Sequence, residues 1–318
     1  MTLTHALPLE VHRRAQSLDA VDNRRLRRAI ESGEWYRIAP GSFVLAQEWR
    51  RLLPMQRHRV RVLEVLRRLP SSVVISHAAA AALWGIDVLG DWPDRVDTTI
   101  DRRSGGRSSG IVRRRVLGLD DVARIPFGRH EITTPAQTAL DLARTLPFVR
   151  GVSAVDQARW LGRPGGALAT FEDIHRLLAA STGHRGDARA GLALAASADL
   201  AANARESQSR VVIAQLGFPE PRLQERRVLP DGTEVHGDFY FPQFDHWGEL
   251  DGNGKYLDAA MRNGRSVAEV VMAEKRRENA IRRLVTGFSR WEPADVDDPR
   301  RLYDIPTRDG LPSRLPRP

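Results

Sequence analysis

The stretch VHGDFYFPQFDHWGELDGNGKY, residues 235–256, limits how this chain folds more than any other, because it sets carboxylates among aromatic residues on both sides of a turn. Residues 235–241 and 246–251 have strand character, and PQFD between them carries the Pro and Asp of a turn, which predicts a β-hairpin. With the turn centred on residues 242–245, antiparallel partners have numbers that sum to 487. That register sets Asp238 opposite Glu249, His236 opposite Asp251 and Tyr240 opposite Trp247, all six on one face. The other face then carries Val235, Gly237, Phe239, Phe241 and Leu250, which suits a core, although His246 and Gly248 interrupt the alternation.

Like charges directly opposed on one face lie about 5 Å apart and repel unless a cation or a proton sits between them. A divalent metal resolves the conflict economically. Carboxylate oxygens suit a hard ion such as Mg²⁺, or Mn²⁺, which takes one or two protein carboxylates and keeps several waters. The other reading is a hairpin face that is simply acidic and solvated.

The 318 residues suffice for two or three domains, each with its own core. With 0 Cys, disulfides, thiol nucleophiles and cysteine-built zinc sites are excluded, which fits the cytosol. The segment MTLTHALPLEVHRRAQ lacks a basic start followed by an apolar core, and no apolar run approaches the roughly 18 residues of a membrane span. A soluble, cytoplasmic protein with no membrane partner is expected. The formal charge of +9 is unevenly spread: residues 1–68 hold 14 Arg, no Lys and 7 acidic residues, a net +7. A localised basic excess is the electrostatic footprint of phosphate binding. Of the 49 basic residues only Lys255 and Lys275 are lysine. In so Arg-biased a chain a retained lysine hints at chemistry that needs a compact ammonium, with a plain surface lysine as the alternative.

Along the chain, AVDNRRLRRAIESGEWYRIAPGSFVLA predicts a helix over about residues 21–32, stopped by Gly33, and a hairpin turning at APGS. Leu26 and Ile30 share one helix face, while Arg24, Arg25, Arg27 and Arg28 fill the rest. An Arg-faced helix followed by a hairpin is the outline of a winged helix over residues 1–52, with the helix in a DNA major groove and the hairpin, bearing Arg37, along the backbone. A solvated helix of an Arg-rich protein is the plainer alternative. Residues 53–150 read as a mixed α/β unit: a helix in HRVRVLEVLRRL, a strand leading through Ser76 to a helix stopped by Gly85, strands RVDTTI and GIVRRRV, and a helix capped by Thr134 with Pro135 at its first position. Gly106, Ser108 and Gly110 fit a G-x-S-x-G pattern, but a strand follows where a nucleophile elbow needs a helix. Residues 151–202 read as a helical connector and residues 304–318 as a Pro-rich disordered tail. Between them, residues 203–303 run in the order α-β-β-β-α-β. The chain as a whole is thus a mixed α/β protein.

That order, with Asp238, then Glu249-Leu250-Asp251-Gly252, then Lys255-Tyr256 and AEKRRENAIRRLVTGFSRW, resembles the PD-(D/E)XK nuclease superfamily over about residues 203–300, and within it the very-short-patch-repair endonucleases. The resemblance implies a restriction-endonuclease-like fold in which Asp238 and Glu249 hold Mg²⁺ and Glu206 on the first helix adds a third carboxylate. Asp251 stands where the commonest pattern of that superfamily has its lysine. The group that orients the attacking water is then either Lys255, swinging back over the GNG loop, or His236. Upstream, RAIESGEWYRIAPGSFVLA, SHAAAAALWGI and ITTPAQTALDLAR resemble AbiEi-type antitoxin regulators of abortive-infection, type IV toxin–antitoxin systems, over about residues 10–150. This second resemblance implies a winged helix joined to an α/β domain, binding to duplex DNA, and a nucleotidyltransferase-like toxin as cognate partner.

Two functions of different class follow. One is a Mg²⁺- or Mn²⁺-dependent endonuclease brought to DNA by its N-terminal domain, with Glu206, Asp238, Glu249, Asp251 and Lys255 as catalytic residues. The other is a DNA-binding antitoxin or repressor in which the nuclease-like domain is a degenerate scaffold. A phosphate-binding G-x-x-x-x-G-K-[ST] loop is excluded, because Lys255 is followed by Tyr256.

Overall fold

A single carboxylate ties together the first elements of the chain. In a computed structural model, which describes residues 7–13, 20–101, 108, 110–181, 183–229, 231–251 and 267–318, the chain divides into two units. One comprises Met1–Arg159 with Pro164–Ala195, the other Trp160–Arg163 with Ala196–Pro318. The first unit begins with β1 (His12–Arg13), α1 (Ala20–Glu31), β2 (Trp35–Ala39), β3 (Ser42–Leu45), α2 (Ala46–Arg51) and α3 (Pro54–Arg68). Gly33, at φ +75°, takes the left-handed conformation that ends α1. Strand β3 lies between β1 and β2, antiparallel to both. Val11, Ile38, Val44, Trp49 and Val60 close a small core behind this sheet. Val60 belongs to α3, so the core runs through the boundary expected at residue 52.

One turn after Val60, the fully enclosed Glu64 carboxylate accepts bonds from Arg13 (2.9 and 3.1 Å), Ser42 Oγ (2.6 Å) and Arg67 (3.1 Å), with Arg68 at 3.3 Å. Burial opposes its charge, yet these donors outweigh burial and hold the Glu64 pKa down at about 2.

A five-stranded sheet follows, with order β6-β5-β4-β8-β7. Its strands are β4 (Val74–Ile75), β5 (Val96–Ile100), β6 (Val112–Val116), β7 (Arg124–Phe127) and β8 (His130–Thr133). Helix α4 (His77–Trp84) is buried on every side, and its run Ala78–Ala82 lets neighbours approach closely. Helix α5 (Pro135–Thr145) starts where Thr134 Oγ1 accepts from the Gln137 backbone N–H. Helices α6 (Phe148–Arg159), α7 (Phe171–Ala179) and α8 (Asp187–Ala195) all pack against α5. The stretch read as a connector is therefore largely part of this unit. Alanine-rich helices look alike in sequence whether they bridge domains or pack tightly.

The second unit contains α9 (Ala204–Gln215), β9 (Arg222–Val228), β10 (Glu234–Phe241), β11 (His246–Leu250), α10 (Val267–Arg282), β12 (Gly287–Trp291), α11 (Pro293–Val296) and α12 (Pro299–Arg308). Strands β9, β10 and β11 are antiparallel neighbours, and β12 joins parallel to β11. The hairpin pairs Phe239 with Gly248, Tyr240 with Trp247 and Phe241 with His246, each pair summing to 487. Its faces differ from the simple alternation. Val235, Tyr240 and Trp247 join Ile281 of α10 and Phe288 in one core. Phe239, Phe241 and Leu250 join Ile213 of α9, Trp291 and Leu302 in the other. Both faces are thus covered, and the face read as polar is mostly apolar. Side-chain parity slips between Val235 and Phe239, where Gln224 on the neighbouring strand takes a left-handed φ of +52°. The glycines make room for tryptophans: a Cβ on Gly237 would lie 2.3 Å from the Trp247 ring, and one on Gly248 would lie 2.6 Å from Trp291.

The Pro-rich end, read as a disordered tail, is packed. Leu311 is 1% exposed within the second core, Arg314 N–H donates to Gly217 O at 3.0 Å, and Ser313 Oγ donates to Leu216 O at 2.6 Å. Composition reports the prolines, whereas the anchoring leucines find partners only in the folded chain. No helix among the described residues is long and apolar enough to cross a membrane.

His58, buried on α3 beside the Trp92 ring, has its pKa lowered to about 4, first by burial and then by the Arg61 guanidinium. An unfolded histidine titrates near 6.5, so between pH 6.5 and 4 the unfolded chain holds a proton that the folded chain refuses. Stability from this group is complete above pH 6.5 and falls by up to about 3 kcal/mol as pH drops through that window. Urea unfolding at stepped pH should show a shallower loss in His58→Leu than in the parent between pH 6.5 and 4. Parallel curves would exclude the assignment.

Candidate functional site

Strand β11 carries a carboxylate that must be neutralised, since Glu249 is 5% exposed in a strand buried at all five positions. Trp247, two residues earlier and on the same face, donates Nε1–H to Glu249 Oε1 at 3.1 Å. Arg290 stands opposite Glu249 in the parallel pairing of β11 with β12, and its guanidinium donates to Oε2 at 2.9 Å. Arg277, from α10, donates to Oε1 at 2.7 Å. The Arg290 guanidinium also lies 2.9 Å from Glu278 and 3.8 Å from Asp251. Burial works against its charge, but the bonds to Glu249 and the charges of Glu278 and Asp251 prevail and raise its pKa above the usual arginine value.

The other expected site residues have different attachments. Asp238, one step beyond the Phe239–Gly248 pair, accepts the Leu250 backbone N–H at 2.9 Å and so pins the end of the hairpin. Glu206 accepts from Ala202 N–H (2.7 Å), Asn203 Nδ2 (2.5 Å) and Gln224 Nε2 (3.2 Å), which places it at the capped start of α9. His236 is half exposed and pairs with Glu234 at 3.0 Å. Lys255 lies outside the described residues. Lys275 is exposed on α10.

Mg²⁺ needs one or two carboxylates with oxygens left open toward one point, water filling the rest of its shell. Both Glu249 oxygens instead face guanidinium groups, and Glu206 faces amides. Among the described residues no group of three His, Asp or Glu is arranged to hold a metal. As arranged, this donor set fits a guanidinium counterion better than Mg²⁺ or Mn²⁺. Sequence reasoning misses Arg290, Arg277 and Glu278. Arg290 carries a usable signal, being a charged residue between buried Ser289 and Trp291 on a parallel strand, but α10 offers too many arginines to choose from.

In the first unit, Arg24, Arg25, Arg27 and Arg28 are exposed on α1 while Leu26 turns inward. Arg27 is 3.7 Å from Glu31, one turn away. Arg25 and Arg28, with His12, Glu34 and Trp35, line a groove of about 580 Å³ between α1 and β2. Arg37 is exposed farther along β2. The five arginines proposed from the sequence thus stand on two neighbouring elements.

No protein-family model matches the chain, and no curated protein matches it.

The Glu249–Arg290 pair gives a direct test of the carboxylate cluster. Arg290→Met should destabilise the second unit by about 2–3 kcal/mol, less than the ~3–5 kcal/mol of a fully enclosed pair because Arg290 is a quarter exposed. Adding Glu249→Gln should cost much less than a second, independent loss, because the charge left unpaired by the first change disappears. A double-mutant cycle by chemical denaturation measures the coupling, and additive losses would show that the pair contributes nothing.

Proposed function

We propose that this protein binds duplex DNA through α1 and the β2–β3 hairpin, and that it acts as a DNA-binding regulator of the AbiEi type rather than as a hydrolase. The observation that carries the DNA reading is the exposure of Arg24, Arg25, Arg27 and Arg28 on one helix beside the hairpin strand bearing Arg37. In a winged helix such a helix occupies the major groove and the hairpin follows the backbone. The regulatory reading is supported by the two guanidinium groups on Glu249, which give the nuclease-like α-β-β-β-α-β unit a closed ion-pair cluster in place of open metal ligands. A nucleotidyltransferase-like toxin is the partner that reading implies.

The endonuclease reading keeps one specific support. The hairpin keeps the expected register as far as the Phe239–Gly248 pair, next to Asp238 and Glu249. Under it, Mg²⁺ or Mn²⁺ would have to displace Arg277 and Arg290 from Glu249.

Two measurements on the full chain separate these readings. A gel-shift series against salt should give a steep loss of duplex affinity, and replacing Arg24, Arg25, Arg27 and Arg28 by Ala should flatten the log–log slope by roughly 2–4, at about 0.9 for each phosphate no longer neutralised. A parent protein that fails to shift duplex DNA at low salt would remove the DNA reading. Incubation of plasmid and single-stranded DNA with Mg²⁺ or Mn²⁺ should leave both intact. Cleavage that disappears in Glu249→Gln would install the endonuclease in its place.

A further inference from the structure

Strand β2 separates two arginine-lined grooves. On one side Trp35 borders the groove that holds Arg25 and Arg28. From the next residue onward β2 borders a second groove, of about 410 Å³, which reaches the start of β5 and the residues before β6. The charged side chains lining it are Arg37, Arg61, Arg95 and Asp94. Arg37 and Arg95 are exposed, so their donors face water.

Arg61 is already held in place. Its guanidinium lies 3.3 Å from Asp94, donates to Ile38 O at 3.4 Å and sits 5.9 Å from the Trp49 ring, which is itself stacked on Tyr36 at 5.1 Å. A guanidinium fixed in this way has little side-chain entropy left to lose on meeting an anion. Asp94 is 95% exposed and is the groove's only acid among these lining residues.

We propose that this groove is a second seat for the sugar–phosphate backbone of the duplex gripped by α1, so that the DNA track crosses β2 and continues over the edge of the five-stranded sheet. The proposal rests on the DNA-binding reading. Duplex DNA presents one negative charge per roughly 1.7 Å of axis, and a line of separated guanidinium groups meets successive phosphates. Both grooves border β2, one at Trp35 and the other from Tyr36 to Pro40, so arginines line the strand on either side.

The test uses the full chain and a mixed-sequence duplex, with affinity measured by fluorescence anisotropy across a salt series. Arg95→Ala should weaken binding about three- to tenfold at low salt and reduce the log–log slope by about 1. Asp94→Asn should tighten binding about two- to fivefold, because it removes a like charge from the path of the phosphates while Ile38 O and the Trp49 ring still hold Arg61. If Arg95→Ala lowers the melting temperature, the Asp94→Asn arm carries the decision, since that carboxylate is exposed. Suppose the parent binds and the α1 arginine variant weakens, while Arg95→Ala and Asp94→Asn match the parent: the groove assignment then fails and the DNA reading stands. Capture of a Glu-rich peptide by the groove with no change in DNA affinity overturns the groove assignment in the same way. A parent that binds no duplex removes both.

Discussion

A buried carboxylate on the central hairpin governs the second unit. Glu249 is too enclosed to be left to water, so it needs positive charge from neighbouring elements. Arg290 comes from the parallel strand beside it and Arg277 from the crossover helix α10. The pairing therefore joins β11, β12 and α10 at one point. It also constrains register, since a one-residue slip of β12 would turn Arg290 to the opposite face. Trp247 adds a third donor from the same strand, and the glycine at 237 leaves room for its ring.

The first unit repeats the device. Glu64 gathers Arg13, Arg67 and Arg68 with Ser42, and the fully buried Asp97 on β5 takes Arg113 (2.5 and 2.7 Å) and Arg115 (3.0 Å) from β6. A guanidinium serves here because its planar fork offers several donors to one carboxylate and stays charged when partly buried. These inner arginines balance acids and hold elements together, whereas Arg24, Arg25, Arg27, Arg28 and Arg37 on α1 and β2 are turned to solvent, as are arginines elsewhere in both units such as Arg189 and Arg314.

In the second unit the Glu249 carboxylate is closed by Arg277 and Arg290 of the same chain, within a sheet that has a core on each face. On the proposed reading, electrostatic matching to DNA falls to the first unit. Fold order alone decides nothing about chemistry.

Much of the architecture was readable from local rules. Gly33, Gly85 and Thr134 punctuate helices through left-handed backbone or a capping hydroxyl, and the hairpin register followed from PQFD and the numbering of its flanks. The α-β-β-β-α-β order and the exposed arginine face of α1 followed from periodicity. Tertiary structure decided what periodicity cannot encode. Val60 joined the core of the sheet that precedes it, helices 148–195 closed on α5, and Leu311 anchored a proline-rich end. Above all, sequence placed Asp238 and Glu249 in facing positions but could not say what would neutralise them. Whether a carboxylate meets a cation from solvent or an arginine from a distant strand depends on which side chains folding brings within about 3 Å, and that is decided between residues far apart in the chain.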